Sequence, residues 1–561
     1  MRRNLLNSIF ENNLRALSVS NRELYSRLCG RTAVSQMYVF QKSRSGEIVP
    51  ALVSPQGDAQ PLHSMIDPRR EAQRLFSTTE AGFLIFLGLG GGFAPEAALE
   101  LTDAQVVVID FCLDGIACLL SSRDYSKLFK NDRFTLIVDP SGEEIKNFIL
   151  ENYKPSLCGG IRTIPLRTRI EQEKSNFEKT AEVIQQAIEI VSADYSVQAH
   201  FGIRMFSNII RNIKNAETCH EDFFAEKKKL PIREAAIAAA GPSLDLQLPL
   251  LAQCKSRGTF VISCDTALPV LLNNGIEPDA IVSIDCQHIS YYHFLGRDLR
   301  NIPLVLDIAS PPLLQRFSRA SVFFSSGHPL ARYACAAWRP FTQLDTSGGN
   351  VTYACLSLAE ILGAMRITLF GADFSYVGSQ TYARGTYIYP FFSNRQNRLS
   401  PLEARFSAFL YRSPFLPREK AFEKTNYYET SQLRFYRQKL EEKTSIMSAD
   451  ISCARGLGAP VGLQKTPHNT QTEPQCLFKA GDEKKSGVDF LEQYRRDIAA
   501  LPTAGGTENY IKKLCAKDRH IFTTLLPCTA AVKKRNMELK TKDLIEEVKR
   551  RCIEEIAKVL G

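Results

Sequence analysis

Residues 234–266, EAAIAAAGPSLDLQLPLLAQCKSRGTFVISCDT, hold two short apolar runs, a Gly-Pro-Ser turn and an intervening helical stretch. EAAIAAA and GTFVISCD are strand-length and apolar throughout, as expected for strands buried on both faces. The pattern continues outward with AIVSID (280–285), IPLVLDIA (302–309), SVFFSSG (321–327) and MRITLFGAD (365–373), most followed by a turn signal and a helical segment. Strands alternating with helices predict a doubly wound, mostly parallel, helix-covered sheet. Ligands of such sheets bind outside the carboxyl ends of the strands.

Upstream, residues 1–40 read as helical, and MYVFQKSRSGEIVPALVS (37–54) alternates around Ser45-Gly46 as a hairpin. PRREAQRLF (68–76) places Pro at a helix start. GFLIFLGLGGG and QVVVIDF are the strands of a βαβ unit, and Phe177, Ala181, Ile184, Ile188 and Val191 recur at helical spacing in a long stretch from Lys174 to Cys219. Beyond Leu399 come an aromatic, arginine-rich stretch with NYYET and RFYRQ, a loop-like segment from Arg455 to Gly487, and amphipathic helices. The clearest of these carries Leu544, Val548, Cys552, Ile556 and Val559 as one stripe. The expected division is a first region with a βαβ unit over 1–195, an α/β domain over 196–400 and a mainly helical region over 401–561.

Fifteen cysteines without a CxxC pair fit a reduced, cytoplasmic protein, and no ligand spacing suggests zinc. A net charge of +10 over 561 residues, without a concentrated basic block, argues against nucleic-acid binding. The apolar runs are too short or too Gly-broken for membrane insertion.

Four groups of residues could carry chemistry. Gly241, Pro242 and Ser243 end a buried strand and open a helix, a phosphate cradle or an ordinary β-to-α turn. Asp265, Asp285 and Asp373 stand at strand ends, where three acids could hold Mg²⁺, contact a ribose or cap helices. Thr346, Ser347, Gly348 and Gly349 form a second polar turn into a helix, and Tyr376 and Tyr382 follow Asp373, as phosphate stabilisers or as loop anchors. Gly88, Gly90 and Gly92 with Asp110 suggest a nucleotide turn, although their spacing is not GxGxxG.

AAAGPSLDL (238–246), GIEPDAIVSID (275–285), TSGGNVTYACLSLAEILGAMRITLFGADFSY (346–376) and TYARG (381–385), in that order, resemble the core of the motility-associated factor proteins. These are flagellin glycosyltransferases that share a domain with archaeal-type 6-hydroxymethylpterin diphosphokinases. The pattern is also similar to bacterial sialyltransferases that use a cytidine-monophosphate (CMP) sugar. The resemblance implies a Rossmann-like accessory domain over 1–195, a catalytic domain over 196–400, a nonulosonic sugar donor, flagellin as protein acceptor and no required cofactor. Gly241, Pro242 and Ser243 would sit at the nucleotide phosphate, Asp265 and Thr266 would line the nucleotide site, and Thr346, Ser347 and Gly348 would face the donor. Tyr382 and Tyr376 would support the departing phosphate. The alternatives are an ATP- and Mg²⁺-dependent diphosphokinase and a non-catalytic assembly factor. The sequence departs from the sialyltransferases in carrying Ala240 where they have Asn, and no His occurs between His328 and His468. His328, after the strand SVFFSSG, is either a surface or helix-capping residue or the general base for the acceptor hydroxyl.

Overall fold

The computed structural model describes residues 2–31, 37–53, 57–76, 81–170, 173–217, 219, 232–299, 302–378, 380–415, 427–463, 486–502 and 510–561. Most of the expected loop between Arg455 and Gly487, residues 464–485, lies outside the described residues. Two compact units emerge: the first is residues 1–202 with 501–522 and 526–549, the second residues 203–500 with 523–525 and 550–561. The stretch 401–561, expected as a helical region of its own, is shared between them.

In the first unit, β1 (Tyr38–Lys42), β2 (Ile48–Val53) and β3 (Ala59–Pro61) form an antiparallel meander whose first turn contains Ser45-Gly46. A four-stranded parallel sheet follows in the order β6-β5-β4-β7, from β4 (Phe83–Leu87), β5 (Gln105–Asp110), β6 (Phe134–Val138) and β7 (Ile161–Pro165). β4 is buried at every position because helices cover both faces.

The second unit is built on eight strands, all parallel: β8 (Glu234–Ala238), β9 (Phe260–Cys264), β10 (Ala280–Ser283), β11 (Leu304–Asp307), β12 (Ser321–Ser325), β13 (Thr342–Gln343), β14 (Arg366–Phe370) and β17 (Asp450–Cys453). Their order is β13-β12-β11-β10-β9-β8-β14-β17. The chain winds one way from β8 to β13 and the other way through β14 to β17, which is the doubly wound architecture. β17 comes from the stretch expected to be loop-like and helical, and it pairs with β14 from Arg366↔Asp450 to Leu369↔Cys453. A short antiparallel pair, β15 (Tyr376–Val377) with β16 (Tyr427–Tyr428), stands apart from the sheet.

The helix Lys174–Ala216 ties loops to this edge of the sheet with two asparagines four residues apart. Asn208 donates to the carbonyls of Cys286 and Ala309, and Asn212 to those of Ile308 and Ser310. Asp307 closes β11 in the same region, accepting from the Ala309 amide, and burial pushes its carboxyl up to about 6. A folded-state value above the unfolded one means that the native unit binds this proton more tightly. Stability associated with Asp307 is therefore lost as pH rises from about 4 through about 6, on the order of 3 kcal/mol. Asp307→Asn should remove that component, read as the difference between wild-type and variant urea unfolding free energies at pH 4.5 and 7. Equal pH slopes for the two proteins would contradict it.

Candidate active site

β8 and β14 flank the point where the sheet reverses direction, the usual ligand crevice of this architecture. Here the crevice is filled by the chain itself. The Ser243 amide donates to Asp373 Oδ2 at 2.8 Å, and the Ser243 hydroxyl accepts from the Leu457 amide at 2.8 Å. Gly241 N–H goes to the Gly371 carbonyl, Leu244 N–H to Gly241, Asp245 N–H to Pro242, and Pro242 has no N–H. Gln247 bridges from the Gly371 amide to the carbonyls of Ala454 and Arg455. The turn expected to cradle a phosphate thus has its donors engaged, and a carboxylate of the protein occupies the anion's place. Burial raises the Asp373 carboxyl, opposed by the hydrogen bonds from Ser243 and Gly458.

A Cβ on Gly241 would lie 2.3 Å from the Gly371 carbonyl oxygen and 2.4 Å from Asp373 Oδ2. Backbone cannot yield there, so Gly241→Val should fail to fold or lose several kcal/mol through overpacking. Soluble yield and thermal melting check this. A variant that melts like wild type would contradict it.

Across β8 from this lock, the end of β9 carries a second polar cluster. Asp265, 1% exposed, accepts from the Ser283 hydroxyl at 2.7 Å on one oxygen and from the Thr266 amide and hydroxyl at 2.6 and 3.1 Å on the other. Asp285 follows β10 and accepts from the Gln287 amide. Burial raises its carboxyl, and the nearby Asp265 charge raises it further. The structure thus brings Asp265, Thr266 and Asp285 together and directs Asp373 elsewhere. Among the described residues, no group of three or more His, Cys, Asp or Glu side chains is arranged to hold a metal ion.

The Thr346–Gly349 turn reaches this cluster through the helix Val351–Ile361, which packs on β8, β9 and β10. Cys264 at the end of β9 lies 3.7 Å from Thr352 Oγ1. The Ser347 hydroxyl is 3.2 Å from the Tyr353 phenol, which donates to Asp345, and Gly348 fits against the Tyr353 ring where any Cβ would clash. Gly349 needs its left-handed backbone, φ +71°, and faces Tyr436. Burial raises the Tyr436 phenol, and the Asp285 charge adds to that rise, so Tyr436 joins this turn to the acids.

Tyr382 and Tyr387 close the cluster, with ring centroids 6.4 Å apart. Burial raises both phenols. The Asp265 charge raises both further, and the Arg412 charge opposes it. Tyr376 lies in β15 and packs edge-on against Phe415. His328 does not join them. It caps the helix Pro329–Ala337 through Nδ1, which accepts from the Leu330 amide, and burial lowers its imidazole to about 4. β12, which precedes His328, is three strand spacings from β9 and four from β8, roughly 14 and 19 Å. His328 Nδ1 is spent on the helix cap, and its Nε2 is buried without a hydrogen-bond partner at a strand end removed from β9.

In the first unit, the Gly88–Gly92 turn is also closed from within. Gly91 N–H donates to His63 Nε2, Leu89 N–H to Asp110, and Asp110 is paired with Arg169 at 2.8 Å. A cavity of about 800 Å³ in this unit lies at the opposite sheet edge, lined by residues including Gly82, Gln105, Lys154 and Lys512.

Sequence reasoning missed His293 and Tyr436. His293, 5% exposed, stands on the short helix Tyr291–Phe294 with Nε2 3.5 Å from Thr266 Oγ1 and its ring edge-on to Tyr387 at 4.6 Å.

Residues 207–379 match the family described as 6-hydroxymethylpterin diphosphokinase MptE-like. The match lies within the second unit and spans β8 to β15. The solved structure of the Maf glycosyltransferase from Magnetospirillum magneticum AMB-1 is similar in fold, with a TM-score of 0.56 at 13% identity, over 100% of this chain and 95% of that one. At that identity the likeness is one of fold. Two uncharacterized proteins of Treponema pallidum (strain Nichols) are 37% and 38% identical over 117 and 118 residues, each 20% of this chain. Those stretches are 41% and 52% of their lengths, so the chain spans about half the length of the curated relatives it matches. Among the described residues, no helix is long and apolar enough to cross a membrane.

Proposed function

We propose that the second unit is a glycosyltransferase moving a nonulosonic sugar from a CMP donor to Ser or Thr hydroxyls of flagellin in the cytoplasm. The observation that carries this reading is the cluster of Asp265, Thr266 and Asp285 under Tyr382, Tyr387 and Tyr436. Carboxylates accept hydrogen bonds and suit the donor groups of a nucleoside, a ribose diol or the cytosine amine. Phenols held protonated by burial remain donors at working pH. In this reading Tyr382 donates to the phosphate oxygen that gains charge as the glycosidic bond breaks. A single phosphate carries little charge, so hydroxyls suffice without a required cofactor. Ser243 and Asp373 serve this site indirectly, by fixing the loop that leads to Tyr376 and Tyr382.

The test is incubation of the protein with a CMP-nonulosonate and flagellin, with and without EDTA, reading CMP release and flagellin intact mass. The expected result is a mass increase of whole nonulosonate residues that survives chelation. Diphosphate transfer from ATP to a hydroxymethylpterin, stopped by EDTA and without sugar transfer, would establish the diphosphokinase reading instead.

A further inference from the structure

We propose that His293 is the general base of this transfer, taking the proton of the acceptor hydroxyl at Nδ1 while Thr266 and Asp265 hold its ring. The inference rests on the glycosyltransferase reading and assigns the base to His293, which contacts Thr266, rather than to His328, which caps a helix after β12. His293 is buried, and Nδ1 has no hydrogen-bond partner, a costly condition for a buried ring nitrogen. A hydroxyl delivered at this point supplies the missing partner. The other nitrogen faces Thr266 Oγ1 at 3.5 Å, and that hydroxyl donates to Asp265 at 3.1 Å. Base, orienting hydroxyl and buried carboxylate thus form a chain of contacts, the logic of a base steadied by a third group.

The surroundings favour a neutral resting imidazole. Burial lowers its proton affinity, and the Asp265 charge opposes that. Of the other charged and titratable groups nearby, Tyr387 stacks edge-on against the ring, Tyr382 lies beyond Tyr387, and the Arg412 charge acts on both phenols. None of these occupies Nδ1.

In the step, the acceptor oxygen forms a bond to the anomeric carbon as the bond from that carbon to the CMP phosphate oxygen breaks. The electron pair leaves with CMP, whose phosphate oxygen receives the Tyr382 hydrogen bond. The acceptor proton passes to Nδ1, and Asp265 stabilises the imidazolium through Thr266.

His293→Gln keeps a side chain able to reach Thr266 and lacks a base. With full-length protein, CMP-nonulosonate and flagellin, kcat for transfer should fall about 100- to 10,000-fold. The donor KM, the Kd for CMP and the melting temperature should stay near wild type. His293→Asn gives the same readout if the Gln variant does not fold. A folded variant that transfers at near wild-type rate overturns the assignment. So does a loss of CMP affinity that accounts for the whole rate effect, because His293 would then be a donor contact. If wild-type protein releases no CMP and modifies no flagellin, the glycosyltransferase reading itself fails, and the base assignment falls with it.

Discussion

Asp265→Asn should lower sugar transfer about 10- to 150-fold while the protein stays folded. Hydrogen bonds to a charged acceptor contribute about 1.5–3 kcal/mol, and this factor is that range expressed as a rate ratio. The amide replaces the carboxylate without changing its shape, and its oxygen can still accept from Thr266. The Ser283 hydroxyl can rotate to accept from the new NH₂ group. What is lost is the charge under Tyr382 and Tyr387 and the charge that steadies His293. The measurement is kcat/KM for transfer with thermal melting of the same sample. Unchanged kcat/KM would remove Asp265 from the site. Asp265→Ala, which leaves Ser283 and the Thr266 amide without their acceptor, should additionally melt earlier.

Arg169→Leu should cost the first unit about 3–5 kcal/mol, the typical effect of removing one partner from a buried ion pair. Both Arg169 and Asp110 are at most 1% exposed, and Glu173 holds the second side of the guanidinium. Burial alone would lower the arginine's proton affinity, but Asp110, Tyr38 and Glu173 together outweigh it and raise it. A fall in melting temperature of roughly 6–20 °C follows for a unit of this size. The double variant Arg169→Leu/Asp110→Asn should recover a large part of that loss, since the carboxylate left behind is the main cost. A double variant no more stable than Arg169→Leu would contradict this account. The pair also bears on function, because the acid that a dinucleotide fold would offer to a ribose is committed to Arg169.

The strands were legible because each is a short apolar run ended by Gly, Asp or Ser, and burial on both faces leaves little ambiguity. The βαβ unit, the hairpin at Ser45-Gly46 and the long helix from Lys174 were legible for the same reason. β17 was hidden: only Ile451 of its four residues is buried, so DISC has no strand pattern. Asp265 and Asp285 were legible as acids at strand ends, and Thr266 only through the family resemblance. The use of Ser243 was not, because Asp373 lies 130 residues away and Leu457 lies 214. A Gly-Pro-Ser turn reads identically whether its anion is a ligand or a carboxylate of the same chain. His293 and Tyr436 sit in HISYYHFLG and RFYRQ, ordinary helical stretches, and only tertiary packing shows that one meets Thr266 and the other Gly349.

A crystal structure of the protein with CMP bound would locate the nucleotide directly. The nucleoside is expected within hydrogen-bond reach of Asp265, Thr266 or Asp285, with its phosphate toward Tyr382 and no nucleotide at Gly88–Gly92. CMP ordered at the Gly88–Gly92 turn, or in the cavity beside Lys154 and Lys512 with the β9 edge empty, would contradict it.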